Sequence, residues 1–272
     1  MAKLARRRLG RTDLLVAELG LGAMDTPTAT EGPETLTTAL DLGIDLVDTA
    51  REYAGSEFLI GQVVRERGNA DFHIATKTFS HGLDGSQRDV DRSLSVLGVP
   101  RVSLYQLHDI STPQAWDEVM GEDGALAGLK IAQYRGLVDH IGLSSHSVEV
   151  LRIAIESDEF DTVMLEYSAF FPETAPLIEL AQERDVGVIV MRPLGGSGRT
   201  SAMRGRIASG EAGLLTPANL LRYVLSHPGV SVAIPGARHL SRIQDNVATA
   251  TAYESMDEAE RRALEQAATQ LY

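Results

Sequence analysis

Eight short apolar runs recur along the chain, each followed by a segment with helix start and stop residues, and that alternation restricts the fold to an α/β arrangement with parallel strands. The runs cover residues 19–22, 45–48, 72–76, 102–107, 140–144, 162–166, 186–191 and 230–234. Most are continuous in hydrophobicity, as strands buried on both faces are. A doubly wound open sheet would alternate in the same way, so count and closure decide. Eight units of roughly 30 residues fit a (β/α)8 TIM barrel, whose usual length is about 250 residues, and this chain has 272.

Two additions to the minimal barrel are expected. An N-terminal β-hairpin spans residues 4–18, and an extra helix over 238–252 follows strand 8 of the barrel. Helix starts are expected at Ser56, Ser86, Thr112-Pro113, Ser147, Thr174, Thr216-Pro217 and Ser255, with stops at Gly68 and Gly98. No linker composition interrupts residues 1–272, so a single barrel domain is expected over that whole span. The Gly/Arg-rich segment 192–215 is longer than a barrel loop needs to be, in a position where barrels often hold phosphate.

Charge and composition narrow the partners. A net charge of -13 repels phosphate backbones and anionic lipid, so nucleic acid and membrane partners are not expected. The absence of cysteine removes disulfides and thiolate chemistry and fits a cytoplasmic location. No apolar stretch approaches the ~20 residues needed to span a bilayer. Arg6-Arg7-Arg8 reads as a solvated hairpin strand. The histidines show no paired ligand spacing, so no metal is expected. Gly20-Leu21-Gly22 lacks the third glycine of a dinucleotide fingerprint, and Gly195-Gly196-Ser197-Gly198 lacks the lysine-hydroxyl ending of a P-loop.

Asp48, Lys77 and His108 fall at the ends of the second, third and fourth runs, separated by 29 and 31 residues, and Tyr53 follows Asp48 closely. In a barrel, strand ends meet on one rim, where catalytic groups from several strands converge. Only three lysines occur against 22 arginines, and Lys77 is one of them. Singly each residue has a structural explanation: a turn cap, a packed ring, a snorkelling amine, a core histidine. Together they form a proton-donating set in which Asp48 anchors Lys77, Lys77 polarises the Tyr53 hydroxyl as general acid, and His108 orients a substrate oxygen. A cation 4 Å from a phenolate is worth about 4 kcal/mol at an effective dielectric of 20, an upper value corresponding to roughly three pK units, so Lys77 is expected to draw the phenol toward neutrality. Lys77 also permits a second chemistry, a barrel aldolase or lyase working through a Schiff base.

Gly20-Leu21-Gly22, Asp48-Thr49-Ala50 with Tyr53 and Gly55-Ser56-Glu57, Ile74-Ala75-Thr76-Lys77, Leu107-His108, Ile141-Gly142-Leu143-Ser144 and Ile234-Pro235-Gly236 together resemble the aldo-keto reductase family nearly end to end. The resemblance implies a barrel that binds a nicotinamide cofactor without a Rossmann domain and transfers hydride to an aldehyde, ketone or sugar carbonyl, or back from an alcohol. It also admits a redox-sensing subunit with little turnover, since a fold alone never assigns a function.

By the same resemblance the cofactor would be held by Gly22, Ala23, Met24, Asp48, Ser144, Ser145, Met191, Arg192, Leu194, Gly195, Gly198, Gly236, Arg238, Arg242 and Asn246. Ser144 would meet the nicotinamide carboxamide, and residues 192–198 would lie along the pyrophosphate. Gly236, Arg238, Arg242 and Asn246 would hold the adenosine end. Arg238 and Arg242 stand at the start of the extra helix in an acidic chain and suit a ribose phosphate, which favours NADPH, with NADH possible. The chain departs from the family pattern at Ser145, in place of a usual asparagine, at Met164, where glutamine often holds the carboxamide, and at Met191, where an aromatic often stacks. Methionine can cover a ring face through its sulfur, whereas Met164 offers no amide, so a weaker hold on the carboxamide is expected. Phe79, Trp116, Tyr167, Phe170 and Phe171 are candidate pocket walls, although barrel aromatics more often fill core.

Overall fold

A computed structural model describes residues 3–196, 203, 205 and 213–271. Strands β1 (Arg6–Arg8) and β2 (Leu15–Ala17) pair antiparallel, Arg6 opposite Ala17, as the expected hairpin. Eight parallel strands follow in sequential order: β3 (Leu21–Gly22), β4 (Leu46–Asp48), β5 (His73–Thr78), β6 (Val102–Leu107), β7 (Val138–Ser144), β8 (Thr162–Glu166), β9 (Gly187–Met191) and β10 (Val232–Ala233). The sheet closes where its first and last strands meet, through parallel bridges Leu19 to Ala233 and Gly22 to Gly236. Gly20 N donates to Ala233 O at 2.8 Å and Gly22 N to Pro235 O at 3.2 Å across this seam. Glycine is required there by space. A Cβ on Gly20 would stand 2.9 Å from Leu46 O, and one on Gly22 would stand 2.9 Å from Ile234 O.

The helices between the strands are α1 (Gly32–Asp41), α2 (Ser56–Arg67), α3 (Leu83–Leu97), α4 (Pro113–Met120), α5 (Ala125–Tyr134), α6 (Val148–Glu156), α7 (Ala175–Glu183) and α8 (Pro217–Leu225). The extra helix after the last strand is α9 (Leu240–Ala252), and α10 (Glu258–Thr269) ends the described chain. Thr112, Ser147 and Thr216 cap as expected, each accepting from a backbone N–H three residues on. Gly68 and Gly98 end α2 and α3 in left-handed conformations, φ 80° and 71°.

Four starts differ from expectation because the hydroxyl finds a tertiary partner or a better local cap. Ser56 opens α2 without capping it: its hydroxyl donates to Ala23 O and accepts from Thr49, tying the helix to the barrel rim. Ser86 lies inside α3 and donates to Leu83 O and Ala125 O. Thr174 donates to Glu166 O at 2.7 Å. Asp257, not Ser255, caps α10, because Asp257 and Glu260 satisfy each other's backbone donors reciprocally.

Inside the barrel, Leu46, Ala75, Leu104, Met164, Ile189, Val232 and Ile234 interdigitate with Leu9 and Val16 of the hairpin region. Each fully buried aliphatic side chain of this kind contributes about 1.5–3 kcal/mol. The hairpin covers the end where strands begin: Ala17 N donates to Asp45 just ahead of β4, and Leu9 packs on Gly187 at the start of β9. That leaves the opposite rim, where the strands end, to carry chemistry. Among the described residues no helix is long and apolar enough to cross a membrane.

Candidate active site

The β4–β5 ladder continues past β4, with Thr49 N donating to Ala75 O at 2.8 Å and Arg51 N to Lys77 O at 3.1 Å. This extension carries the turn after Asp48 over β5, and Tyr53 with it. Lys77 is fully buried; its Nζ donates to Asp48 Oδ2 at 2.7 Å and to the Thr49 carbonyl at 2.9 Å, and lies 3.5 Å from the Tyr53 hydroxyl. The same ammonium stands 4.8 Å from the centre of the Tyr53 ring. On the far side, the Tyr53 hydroxyl is 3.4 Å from His108 Nε2. All four residues are thus joined in one chain at the end of three adjacent strands. Fully buried and enclosed by the Asp48, Thr49 and Tyr53 oxygens, Lys77 Nζ leaves a carbonyl substrate no open approach, so the Schiff-base chemistry finds no support in this geometry.

Neighbours fix the set in place. Gln106, opposite Lys77 in the β5–β6 ladder, donates to Asp48 Oδ1 at 3.4 Å. Phe79 stacks on the His108 imidazole, centroids 4.0 Å apart and planes 10° from parallel. Glu52 Oε2 lies 3.4 Å from His108 Nδ1, and Glu52 Oε1 accepts from Phe79 N. Neither Glu52 nor this role for Phe79 stood out in the sequence. Nothing but adjacency to Tyr53 separates Glu52 from a solvated surface carboxylate.

Burial governs the proton affinities. Loss of water pushes the Asp48 carboxyl up and the Lys77 amine down, each opposed by the partner's charge. Burial also raises the Tyr53 phenol, and the Asp48 and Glu52 carboxylates add to it, with the Arg192 guanidinium opposing. The expectation that Lys77 draws this phenol toward neutrality is therefore reversed. The ammonium is already spent on Asp48, so the phenol sees a compensated pair and a second carboxylate. For Glu52, burial works upward, but the hydrogen bonds from His108 and from backbone N–H groups bring its carboxyl below the ordinary value.

The residues expected to hold a cofactor follow the ends of β3, β7, β9 and β10. Gly22 and Gly236 are bridge partners at the seam, and Ala23 is buried with its N–H on Asp48 O. Met24 is exposed. Ser144 Oγ is buried and accepts from Asp109 N at 2.9 Å, and among the described residues its own hydrogen has no acceptor. Ser145 Oγ accepts from Ser147 N and lies 3.4 Å from Ser111 Oγ. Met191 borders the barrel-interior cluster, and Met164, 2% exposed, is inside it, next to Ser144 in the ladder. Arg192, at φ 51°, places its guanidinium 3.3 Å from Glu166 Oε2, and Gly195 N returns to Arg192 O. Leu194 packs on the outer core. Glu166 is a carboxylate ending an apolar run, a signal present in the sequence itself.

Arg238 pairs with Asp25 at 3.1 Å and Arg242 with Asp245 at 3.9 Å, leaving the two guanidinium side chains 57% and 50% exposed. Asn246 is buried on α9. A cleft of about 590 Å³ opens between Arg238 and His239 on one side and residues 28–31 on the other. The exposed Arg238 guanidinium lines this cleft and suits an anionic phosphate, while Glu31 on the opposite side is paired with His239, so the residues present fit the adenosine end of a dinucleotide. Gly198 lies outside the described residues. Of the candidate walls, Phe79 packs against this group, on the His108 ring. Trp116 packs on Phe160, while Tyr167 is fully buried and bonded to Arg261 of α10.

The family model described as the Aldo/keto reductase family matches residues 18–213. The chain belongs to the aldo-keto reductase family. Among its relatives is the uncharacterized oxidoreductase YqkF of Bacillus subtilis, 24% identical with 91% of each chain covered. The L-galactose dehydrogenase of Arabidopsis thaliana is 26% identical, over 94% of this chain and 91% of that one. A solved aldo-keto reductase from Pseudomonas aeruginosa, described as putative, superposes with a TM-score of 0.76 at 28% identity, covering 92% of this chain and 97% of the other. As an aldo-keto reductase, the chain has the parallel barrel that its sequence led one to expect.

Proposed function

We propose that this aldo-keto reductase is an NADPH-dependent enzyme that reduces the carbonyl of a small aldehyde, ketone or sugar, reversibly, on one barrel domain and in the cytoplasm. The observation that carries the reading is the continuous chain Asp48–Lys77–Tyr53–His108 at the strand ends. When bound, the dinucleotide supplies a hydride to the carbonyl carbon. Tyr53 donates its hydroxyl proton to the carbonyl oxygen as charge develops there. Lys77, held by Asp48, lies 3.5 Å from the Tyr53 oxygen and donates a hydrogen bond to the phenolate that remains. His108 Nε2, 3.4 Å from the hydroxyl, marks where the substrate oxygen sits. Ser144 would hold the carboxamide, and Arg238 and Arg242 would take the ribose phosphate. The net charge of -13 supports a small-molecule partner over nucleic acid.

A phenol raised by burial stays protonated at neutral pH and is stored in the form that reduction consumes. Oxidation of an alcohol needs the phenolate. Its kcat/KM is expected to climb with pH by up to about tenfold per unit between about pH 7 and 10, while Tyr53 contributes no limb to reduction over about pH 6 to 8. Initial rates at saturating NADP+ measure this. A flat oxidation profile excludes Tyr53 as the base.

Met164→Gln is expected to tighten NADPH about fivefold in a fluorescence titration, the worth of one added hydrogen bond of about 1 kcal/mol. Unchanged affinity in the variant, with submicromolar affinity in the wild type, argues that the missing amide is not limiting. The decisive test of the activity is a panel of aldehydes, ketones and sugars scored for NADPH oxidation, and of alcohols with NADP+, repeated with Tyr53→Phe. Sugars merit early places in it because the Arabidopsis relative is an L-galactose dehydrogenase.

A further inference from the structure

His108 is gripped on three sides, and the proton transfer from Tyr53 uses only one of these contacts. Tyr53 meets the ring edge-on, 5.4 Å between centroids at 83°, with its hydroxyl toward Nε2. Phe79 covers one face. The third contact is Glu52 at Nδ1, 3.4 Å away, with the side chain one-third exposed. Glu52 Oε1 meanwhile accepts from Phe79 N, so one carboxylate spans from the segment after β4 to the segment after β5 and closes around the imidazole.

An ionised carboxylate has acceptors only. A hydrogen bond to it therefore requires the proton on Nδ1, and the neutral ring then turns an unprotonated Nε2 toward Tyr53. Such a ring receives the Tyr53 hydrogen; it has none to offer a carbonyl oxygen. To donate from Nε2 it must carry both protons, and the adjacent Glu52 charge then balances the imidazolium, whose charge-assisted bond to oxygen is roughly twice as strong as a neutral one. The arrangement hydroxyl–imidazole–carboxylate has the logic of a nucleophile–base–orienter triad, with a phenol in the place of the nucleophile.

We propose that Glu52 is a positioning residue that fixes the His108 tautomer through Nδ1 and completes a Tyr53–His108–Glu52 chain reaching from the buried phenol to the mouth of the barrel. This deepens the carbonyl-reductase reading and rests on it for its kinetic part. Its spectroscopic part stands without turnover.

Nitrogen-15 spectra of the imidazole rings in the full-length protein, with His108 assigned by difference against His108→Asn, report which nitrogen carries the proton. The proton is expected on Nδ1 in the wild type, and Glu52→Ala is expected to release the ring to the Nε2-protonated form. A wild-type His108 protonated on Nε2, or a Glu52→Ala spectrum identical to wild type, overturns the proposal. In steady state, Glu52→Ala is expected to lower kcat for carbonyl reduction about tenfold with the NADPH dissociation constant unchanged, and Glu52→Gln, whose amide oxygen still accepts from Nδ1–H, is expected to recover most of that loss. A wild-type kcat in Glu52→Ala overturns the proposal as well. If Tyr53→Phe retains full turnover, the reductase reading fails, and the tautomer result still judges Glu52 by itself.

Discussion

Replacing Tyr53 by phenylalanine is expected to lower kcat for carbonyl reduction by about 10²–10⁴-fold while leaving the NADPH dissociation constant within about twofold of wild type. The substitution removes one oxygen and nothing else. The ring keeps its place beside Lys77 and His108, and among the described residues the phenol oxygen makes two long contacts, 3.5 and 3.4 Å. Folding stability should therefore hardly change. Loss of rate without loss of cofactor binding identifies a group needed in the transition state alone. Stopped-flow reduction at saturating NADPH is the clean measurement, because it isolates the chemical step from product release. Turnover within threefold of wild type would mean that another group protonates the oxygen.

Lys77→Met acts on catalysis and stability together, and its stability effect is the larger of any single change considered. In the wild type, the Lys77 ammonium and the Asp48 carboxylate form a buried pair at 2.7 Å, with the Thr49 carbonyl taking a further hydrogen. Deleting the amine strands a carboxylate in a water-free site, at a cost of about 3–5 kcal/mol. Burial already pushes the Asp48 carboxyl up, and without Lys77 nothing comparable opposes it. A carboxyl whose folded value lies above its unfolded value favours folding below the unfolded value and loses that advantage as pH rises through the folded one. Relative to wild type, Lys77→Met should thus be least destabilised near about pH 4 and most destabilised near about pH 8. Urea unfolding at the two pH values tests the sign. Adding Asp48→Asn to Lys77→Met should recover much of the stability and none of the activity, since the amide needs no countercharge. An unfolding midpoint for Lys77→Met equal to wild type at the higher pH would show that Asp48 is not stranded.

The reach of the sequence differs from residue to residue for physical reasons. Asp48, Lys77 and His108 were legible because each lies within one residue of a strand's end, and strand ends converge in any closed parallel barrel. Caps were legible where the hydroxyl serves its own helix, at Thr112, Ser147 and Thr216, and illegible at Ser56, Ser86 and Thr174, whose hydroxyls bond to other carbonyls. Glu52 was invisible because its value lies in the imidazole it meets 56 positions later.

What the chain determines alone is the alternation of buried strands and punctuated helices, the hairpin before them, the extra helix after them, and the identity of four polar residues at strand ends. Those follow from local periodicity and from order along the chain. Tertiary structure alone decided how the seam between β3 and β10 closes over Gly20 and Gly22, which carboxylate takes His108, and in which direction the Tyr53 phenol is shifted. Each of these depends on desolvation and on charges brought together from distant segments, and neither quantity exists until the barrel has closed.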